Sequence, residues 1–355
     1  MTNITQFDHY LKNDGPSALV IRQHLIPAEG PDGVVFPSTY AAGDGFAGGY
    51  NIDPAPDGKN VCLIDSAGAQ ANRIEPLFKE GKYKELVPQI VITAGEKQVN
   101  ILEAGHRAGD AIVRCTELQK TLQDAFKSVL KGNAEPLAKV APTSIVFGVW
   151  DSRDTQAKLP RLISSTIRAF NVRKLTRSAQ YVPAARYTDA GLLEMPADKA
   201  AKDAYSERGF LDVPATATHG GVIADGGIRR DATLALAALR LLNAEDEKKT
   251  LALRRYILGL ALTAFTYQPA SYLRQGCLLV LDPKTPHRFD EVLPTGECKP
   301  FTITHAQALD YATAVAKEFG IGEGKTVPFD VERAKKDVQG GGDTKTKAKK
   351  AKKAE

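Results

Sequence analysis

Three features of the sequence predict an α+β fold. Strand-like apolar runs interleave with helical patterns, a hairpin signal lies near residue 95, and two long Gly-rich stretches interrupt the alternation. Hairpins and crossover helices in this order pack one helical layer on an antiparallel sheet, as in ferredoxin-like and RNA-recognition-type domains. At 355 residues the chain could hold two domains, or one with large insertions. A single domain over residues 1–340 is predicted, with insertions at about 28–59 and 186–230 and a disordered lysine-rich tail at 341–355.

The first strand is SALVIRQHLIP, Ser17 to Pro27, an apolar run that carries Arg22 and His24. The stretch from Ala28 to Lys59, rich in Gly, Pro and Asp, is too long for an ordinary connection. VCLI then leads through Asp65 to Ser66, a suitable N-cap for the helix AGAQANRIEP. From Pro88 to Gly105, AGEK separates two apolar runs, the pattern of a hairpin. Asp110 is a candidate N-cap for a helix through Leu118, Leu122, Phe126 and Val129 that stops at Gly132. Residues 186–230 lack apolar periodicity and read as an excursion outside the core. Two helices are predicted between Asp231 and Tyr267, then a strand CLLVLD and a capping-box helix from Thr304 with Gln307.

Bulk composition narrows the function classes. Hydrophobic content of 43% and charged content of 25% are ordinary globular values. No apolar run is long enough to span a bilayer, and MTNITQFDHY has no apolar signal core, so a soluble, cytoplasmic protein without membrane partners is expected. Four widely spaced cysteines argue against a zinc knuckle or a disulfide framework. Net charge is +5, but residues 340–355 hold six lysines and two acids and so contribute +4, which leaves +1 for the rest. Nucleic-acid binding therefore has to be argued from where charge is placed, not from its total.

That placement is uneven. Between Ser144 and Pro183 lie Arg153, Lys158, Arg161, Arg168, Arg173, Lys174 and Arg177, opposed only by Asp151 and Asp154. The block reads as strand, basic loop, helix, basic loop, strand. Pro160 suits a first helical turn, so a helix is predicted from about Lys158, with Leu159, Leu162, Ile163, Ile167 and Phe170 on its apolar face. Lys158, Arg161, Ser165 and Arg168 fall on the other face, and the free N–H groups of a helix start would add positive potential. Such a start, fringed with cations, is a phosphate seat; the alternative is a solvated charged face. The helix after Ser66 offers a second slim start, with Ala67, Gly68, Ala69 and Ala71 beside the donors Gln70, Asn72 and Arg73.

Other motifs carry less. Gly43 to Gly48 matches G-x-G-x-x-G, but Pro54 and Pro56 follow, so no helix opens from it and no dinucleotide is expected. Asp65, Asp151 and Asp154 could gather a magnesium ion, or could orient neighbouring groups; the second is favoured, and no metal or other cofactor is predicted. The six histidines have no ligand spacing, and His219 alone is a catalytic candidate.

VFPSTYAA, YNIDP, CLIDSAGAQANRIEP and SIVFGVWDSRDTQAKLPRLISSTIRAFNV, with LTRSAQYVPA after it, resemble the signature blocks of a known family. These blocks look like those of the crRNA-binding backbone subunit of type I-G (formerly I-U) CRISPR surveillance complexes, also called Cascade. The resemblance implies a modified RNA-recognition palm with inserted finger and thumb elements. It implies copies stacked along one guide RNA in a helical filament, with a thumb that kinks the guide and leaves the other bases free for target DNA. Partners implied are crRNA, target DNA through guide pairing, neighbouring copies, a large subunit and a guide-processing end-capping subunit. No nuclease activity is implied.

A subunit that grips any guide should contact phosphate and ribose and leave base edges free. The expected contacts are Arg153, Lys158, Arg161, Ser165 and Arg168, with Gln70, Asn72 and Arg73 beside them and Arg22, Arg107 and Arg177 further out. Met195, Phe210 and Leu211 are candidates for the apolar wedge that unstacks a base. Two alternatives stay open on the sequence alone. One is an RNA-cleaving backbone of the type III kind using Asp44 or Asp225. The other is a stand-alone single-strand binder, for which aromatic platforms are scarce.

Overall fold

The structure, a computed structural model, describes residues 3–339 except 269; the lysine-rich tail lies outside the described residues. Its centre is an antiparallel sheet. The strands used below are β1 (Ala18–Pro27), β2 (Ile52–Pro54), β3 (Asn60–Asp65), β4 (Ile163–Phe170), β5 (Val172–Tyr181), β6 (Val213–Ala224), β7 (Ile228–Ala235), β8 (Tyr272–Arg274), β9 (Cys277–Leu281), β10 (Arg288–Val292) and β11 (Cys298–Pro300). Spatial order is β8-β9-β1-β7-β4-β3-β2, with β10 beside the first half of β1 and β11 beside β10. The mixed α+β class predicted from sequence is present.

One prediction fails at the centre of the basic block. Residues 163–170 are not a helix but a strand, hydrogen-bonded on both sides to β7 and β3. Burial alternates along it: Ile163, Ser165, Ile167 and Ala169 are buried while Ser164, Thr166, Arg168 and Phe170 face out. The apolar positions fit a helical stripe almost as well, and Ser165, a polar residue on the buried face, disguised the period of two. β-branched Ile163, Thr166 and Ile167 favour the extended form that sheet partners then fix. Residues 231–235 likewise belong to β7 and not to a helix. The excursion also differs from 186–230: Val222, Ala224, Ile228 and Arg230 are buried, so residues 222–230 return into the core.

The helices α1 (Ala67–Ile74), α2 (Gln119–Leu130), α3 (Lys199–Glu207), α4 (Glu247–Thr266) and α5 (His305–Phe319) include all three capped starts anticipated at Ser66, Thr304 and, before a short turn at 111–114, Asp110. The predicted helix from Asp110 to Gly132 is broken at residues 115–118, and α2 carries its second part. α4 and α5 cross at Gly259, where a Cβ would sit 2.8 Å from Val315 and 2.9 Å from Ala312. The hairpin at AGEK pairs Ile90–Ala94 with Lys97–Asn100, and Lys325–Pro328 joins it in parallel.

The buried sheet face carries two apolar clusters. Leu19, Ile21, Ile163, Ala232 and Leu234 pack with α4, α5 and Phe78. Leu25, Ile167, Ala169 and Ile228 pack with Val35, Tyr50, Leu273 and Leu279. Between them runs a polar seam: Asp65 accepts from Gln70 at 2.7 Å, Gln70 accepts from Ser165 at 3.0 Å, and Ser165 accepts from Arg230 at 3.0 Å. Buried polar groups keep their stability only when bonded in this way.

β5 and β6 leave the sheet as a long two-stranded ribbon. The turn into it needs a left-handed residue, Asn171 at φ 48°, which is why a short polar side chain stands there. The 28–59 stretch braces the foot of the ribbon: Val35 bridges Val222, and Tyr50 accepts a hydrogen bond from the Gly221 N–H at 3.1 Å. Residues 183–212 cap the ribbon around Phe210, which meets Tyr187 edge-on at 5.2 Å.

Candidate nucleic-acid interface

The first turn of α1 is short-chained and capped. Ser66 Oγ accepts from the Ala69 N–H at 3.2 Å, and Gly68 leaves the approach open. Arg161, arriving from the segment before β4, lies beside it: its Nη2 is 3.7 Å from where a Cβ on Gly68 would stand. Gly148, at φ 81°, lets the chain pass so close to Arg161 that a Cβ there would meet Arg161 Cγ at 2.9 Å. Only one of the two expected helix starts exists, but a basic side chain meets it.

Arg161 and Lys158 line a cleft of about 470 Å³ with His106, Gly148, Trp150 and Pro160. Trp150 is 56% exposed and pairs across two short strands with Lys158, whose ammonium lies 5.5 Å from the indole ring. A flat aromatic beside a cation can stack a base while the cation holds its phosphate. Among the described residues neither Lys158 nor Arg161 is in an ion pair, and both are exposed. Arg153 is exposed in the turn that Asp151 ties down by accepting from Thr155 N and Oγ1 at 2.9 and 2.6 Å.

The second basic surface is the outer face of the sheet. The register places Arg22 opposite Asp231, and Arg168 opposite Arg229. Asp231 bridges Arg22 at 3.1 Å and Arg229 at 2.8 Å. Arg168 donates to Thr166 Oγ1 at 2.6 Å and has no acidic partner among the described residues. Arg229 stacks over Phe170 at 4.7 Å. Arg161, just before β4, and Arg168 on β4 are seven residues apart, at most about 25 Å for an extended chain. The cleft cations Lys158 and Arg161 therefore precede the strand that carries Arg168 on the open face.

Several expected contacts are engaged in bonds within the fold. Gln70 and Ser165 are buried in the polar seam. Arg107 is 4% exposed, donates to Glu75 at 2.6 Å and to the Gly148 carbonyl at 3.2 Å, and so holds the cleft floor. Asn72 is exposed and accepts from Arg107 at 3.3 Å. Arg73 pairs with Asp65 at 3.2 Å, as does Arg274 at 2.5 Å, so Asp65 lies between two guanidiniums. Asp154 accepts from Gln123 at 3.0 Å. Among the described residues no three His, Cys, Asp or Glu side chains gather as a metal would need.

On the ribbon, Arg177 is exposed. At its tip Met195 is 74% exposed, whereas Phe210 and Leu211 are half-buried; Phe210 serves the local aromatic cluster. Leu192, 65% exposed nearby, is an apolar tip residue the sequence did not single out. His219 packs on Tyr50 with ring centroids 4.7 Å apart. Asp225 is held by Arg173 through bonds of 2.7 and 3.2 Å, which lowers its pKa, and Asp44 sits in an exposed turn. Arg229 and Phe170 were also missed. Their signal was alternation in IRRDATLA and ISSTIRAF, visible only once both are read as strands.

Residues 19–174 match the model of the family described as CRISPR-associated protein GSU0053, a little under half of the chain. The match supports a CRISPR-associated protein. It runs from β1 to the foot of the ribbon and contains Arg22, Lys158, Arg161 and Arg168. No curated protein matches the chain. No helix among the described residues is long and apolar enough to cross a membrane.

Proposed function

We propose that this chain is a non-catalytic, sequence-independent guide-RNA scaffold of a CRISPR surveillance complex, of the type I-G backbone kind. Copies of it would stack along one guide and present the spacer to target DNA, with a large subunit and an end-capping subunit as further partners. The sheet and its helical layer would be the palm, the 28–59 stretch the finger, and the ribbon with its tip the thumb.

The observation that carries this reading is the cleft at α1, where exposed Lys158 and Arg161 stand beside Trp150 without an acidic partner among the described residues. Cations with a flat platform hold phosphate and base face in any sequence, whereas specific readout needs donors and acceptors placed for base edges. The outer sheet face, with Arg22, Arg168 and Arg229, extends the basic track. Sequencing the RNA that travels with the purified protein tests the proposal. Uniform repeat-flanked guides support it; RNA of mixed length and sequence points to a stand-alone binder, and cleavage of complementary RNA abolished by Asp44→Ala or Asp225→Ala points to a nuclease.

A further inference from the structure

Beneath the basic cleft lies an acid that is only half-bonded. Glu75 is 1% exposed, and its Oε2 accepts from Arg107 Nε at 2.6 Å. Its Oε1 is buried with no hydrogen-bond partner among the described residues. A buried carboxylate oxygen without a donor is costly, and a proton removes the charge that makes it so. Burial outweighs the downward pull of Arg107 and pushes the carboxyl up to about 7. The surrounding elements bring little other charge to bear. α1 carries Arg73, held by Asp65, and the turn at 101–103 carries Glu103, held by Lys79. Lys82, Lys84 and Glu85 of the 81–86 turn are exposed, and residues 142–147 contain no ionisable side chain.

Arg107 stands between this acid and the cleft. Its side chain is 5% exposed, yet it lines the cleft together with His106, Trp150, Lys158 and Arg161. Its backbone holds φ 52°, a left-handed conformation uncommon outside glycine. Such strain persists where the surroundings impose it, and it gathers at functional sites. Its bonds go to Glu75, to the Gly148 carbonyl and to Asn72 Oδ1, and a guanidinium has N–H groups to spare beyond these. With Glu75 ionised, the pair presents no net charge to the cleft. With Glu75 protonated, a full positive charge adds to those of Lys158 and Arg161.

We infer that Glu75 is a positioning residue for the cleft, where an anion binds together with one proton that Glu75 takes up behind Arg107. The inference rests on the cleft being a phosphate seat and adds what tunes it. A phosphate in the cleft draws on the charge of Arg107 and repels the carboxylate behind it, which favours the protonated acid. Guide binding therefore tightens as pH falls through about 7. His106, exposed on the cleft wall, is the rival proton acceptor.

The experiment uses the full chain, freed of nucleic acid by nuclease, and a short oligouridylate, whose phosphodiesters do not titrate near neutral pH. Titration calorimetry in two buffers of different ionisation enthalpy should show proton uptake on binding near pH 7. Affinity should be roughly fivefold higher at about pH 6 than at about pH 8, the effect of raising one carboxyl pKa by about one unit. Glu75→Gln, a neutral stand-in for the protonated acid, should remove the uptake and hold affinity at its acid value at every pH. His106→Gln should keep the uptake. Should Glu75→Gln fail to fold, His106→Gln still decides: uptake kept supports the inference, and uptake lost assigns the proton to His106 and overturns it. Affinity independent of pH in the wild type, or a pH dependence that survives in folded Glu75→Gln, also overturns it. Oligouridylate binding that Lys158→Ala with Arg161→Ala leaves intact refutes the phosphate seat itself, and the inference falls with it.

Discussion

Arg161 reaches the N-terminus of α1, its Nη2 3.7 Å from the position a Cβ would take on Gly68. This approach joins two segments far apart in sequence, and it depends on glycine at two points. Gly68 keeps the helix start slim, and Gly148 lets the neighbouring chain pass beneath Arg161.

Gly148→Ala should therefore disturb both stability and binding. The residue is buried at φ 81°, and a Cβ would meet the Arg161 backbone N at 3.0 Å as well as its Cγ. Strain in this region costs about 1–3 kcal/mol, to be read from urea denaturation midpoints. Guide affinity should fall alongside, because Arg161 is pushed from the cleft; unchanged affinity in a folded variant would show that Arg161's position does not matter.

Glu75 gives a pH test of the support beneath the cleft. Its carboxyl is pushed up to about 7 by burial, which outweighs the downward pull of Arg107. The unfolded chain releases this proton near 4.5, so between about 4.5 and 7 the folded state holds more protons. The contribution of this group to stability is then complete below 4.5 and is lost as pH rises through 7. The advantage of wild type over Glu75→Gln in urea midpoint should shrink across that window. A pH-independent difference would contradict the assignment.

What could be read from sequence was whatever local chemistry decides. Ser66, Asp110 and the Thr304–Gln307 capping box mark helix starts because their side chains satisfy orphan N–H groups within three residues. Lys158, Arg161 and Arg168 could be picked out because basic residues crowd that block and acids do not. What decided Ile163–Phe170 lay elsewhere in the chain: hydrogen bonds to β3 and β7, and a buried Ser165 whose partner is Gln70, 95 residues away. The same holds for Arg107, whose charge looked available until Glu75 was seen beside it.

The ribbon tip can be tested without touching the core. Met195 and Leu192 are mostly exposed, so Met195→Ala with Leu192→Ala should change stability by no more than about 0.5 kcal/mol. If the tip unstacks guide bases, guides carrying 2-aminopurine at successive positions should lose their periodic fluorescence enhancement in the variant. Enhancement retained at every position would move the wedge to another part of the chain.

Salt dependence measures most directly whether Lys158 and Arg161 hold phosphates irrespective of sequence. Guide affinity of wild type and of Lys158→Ala with Arg161→Ala should be compared at several salt concentrations with unrelated spacers. The slope of log affinity against log salt should become shallower by roughly 0.7 for each single-strand phosphate that the variant no longer neutralises, equally for every spacer. An unchanged slope, or weakening confined to particular spacer sequences, would contradict that role.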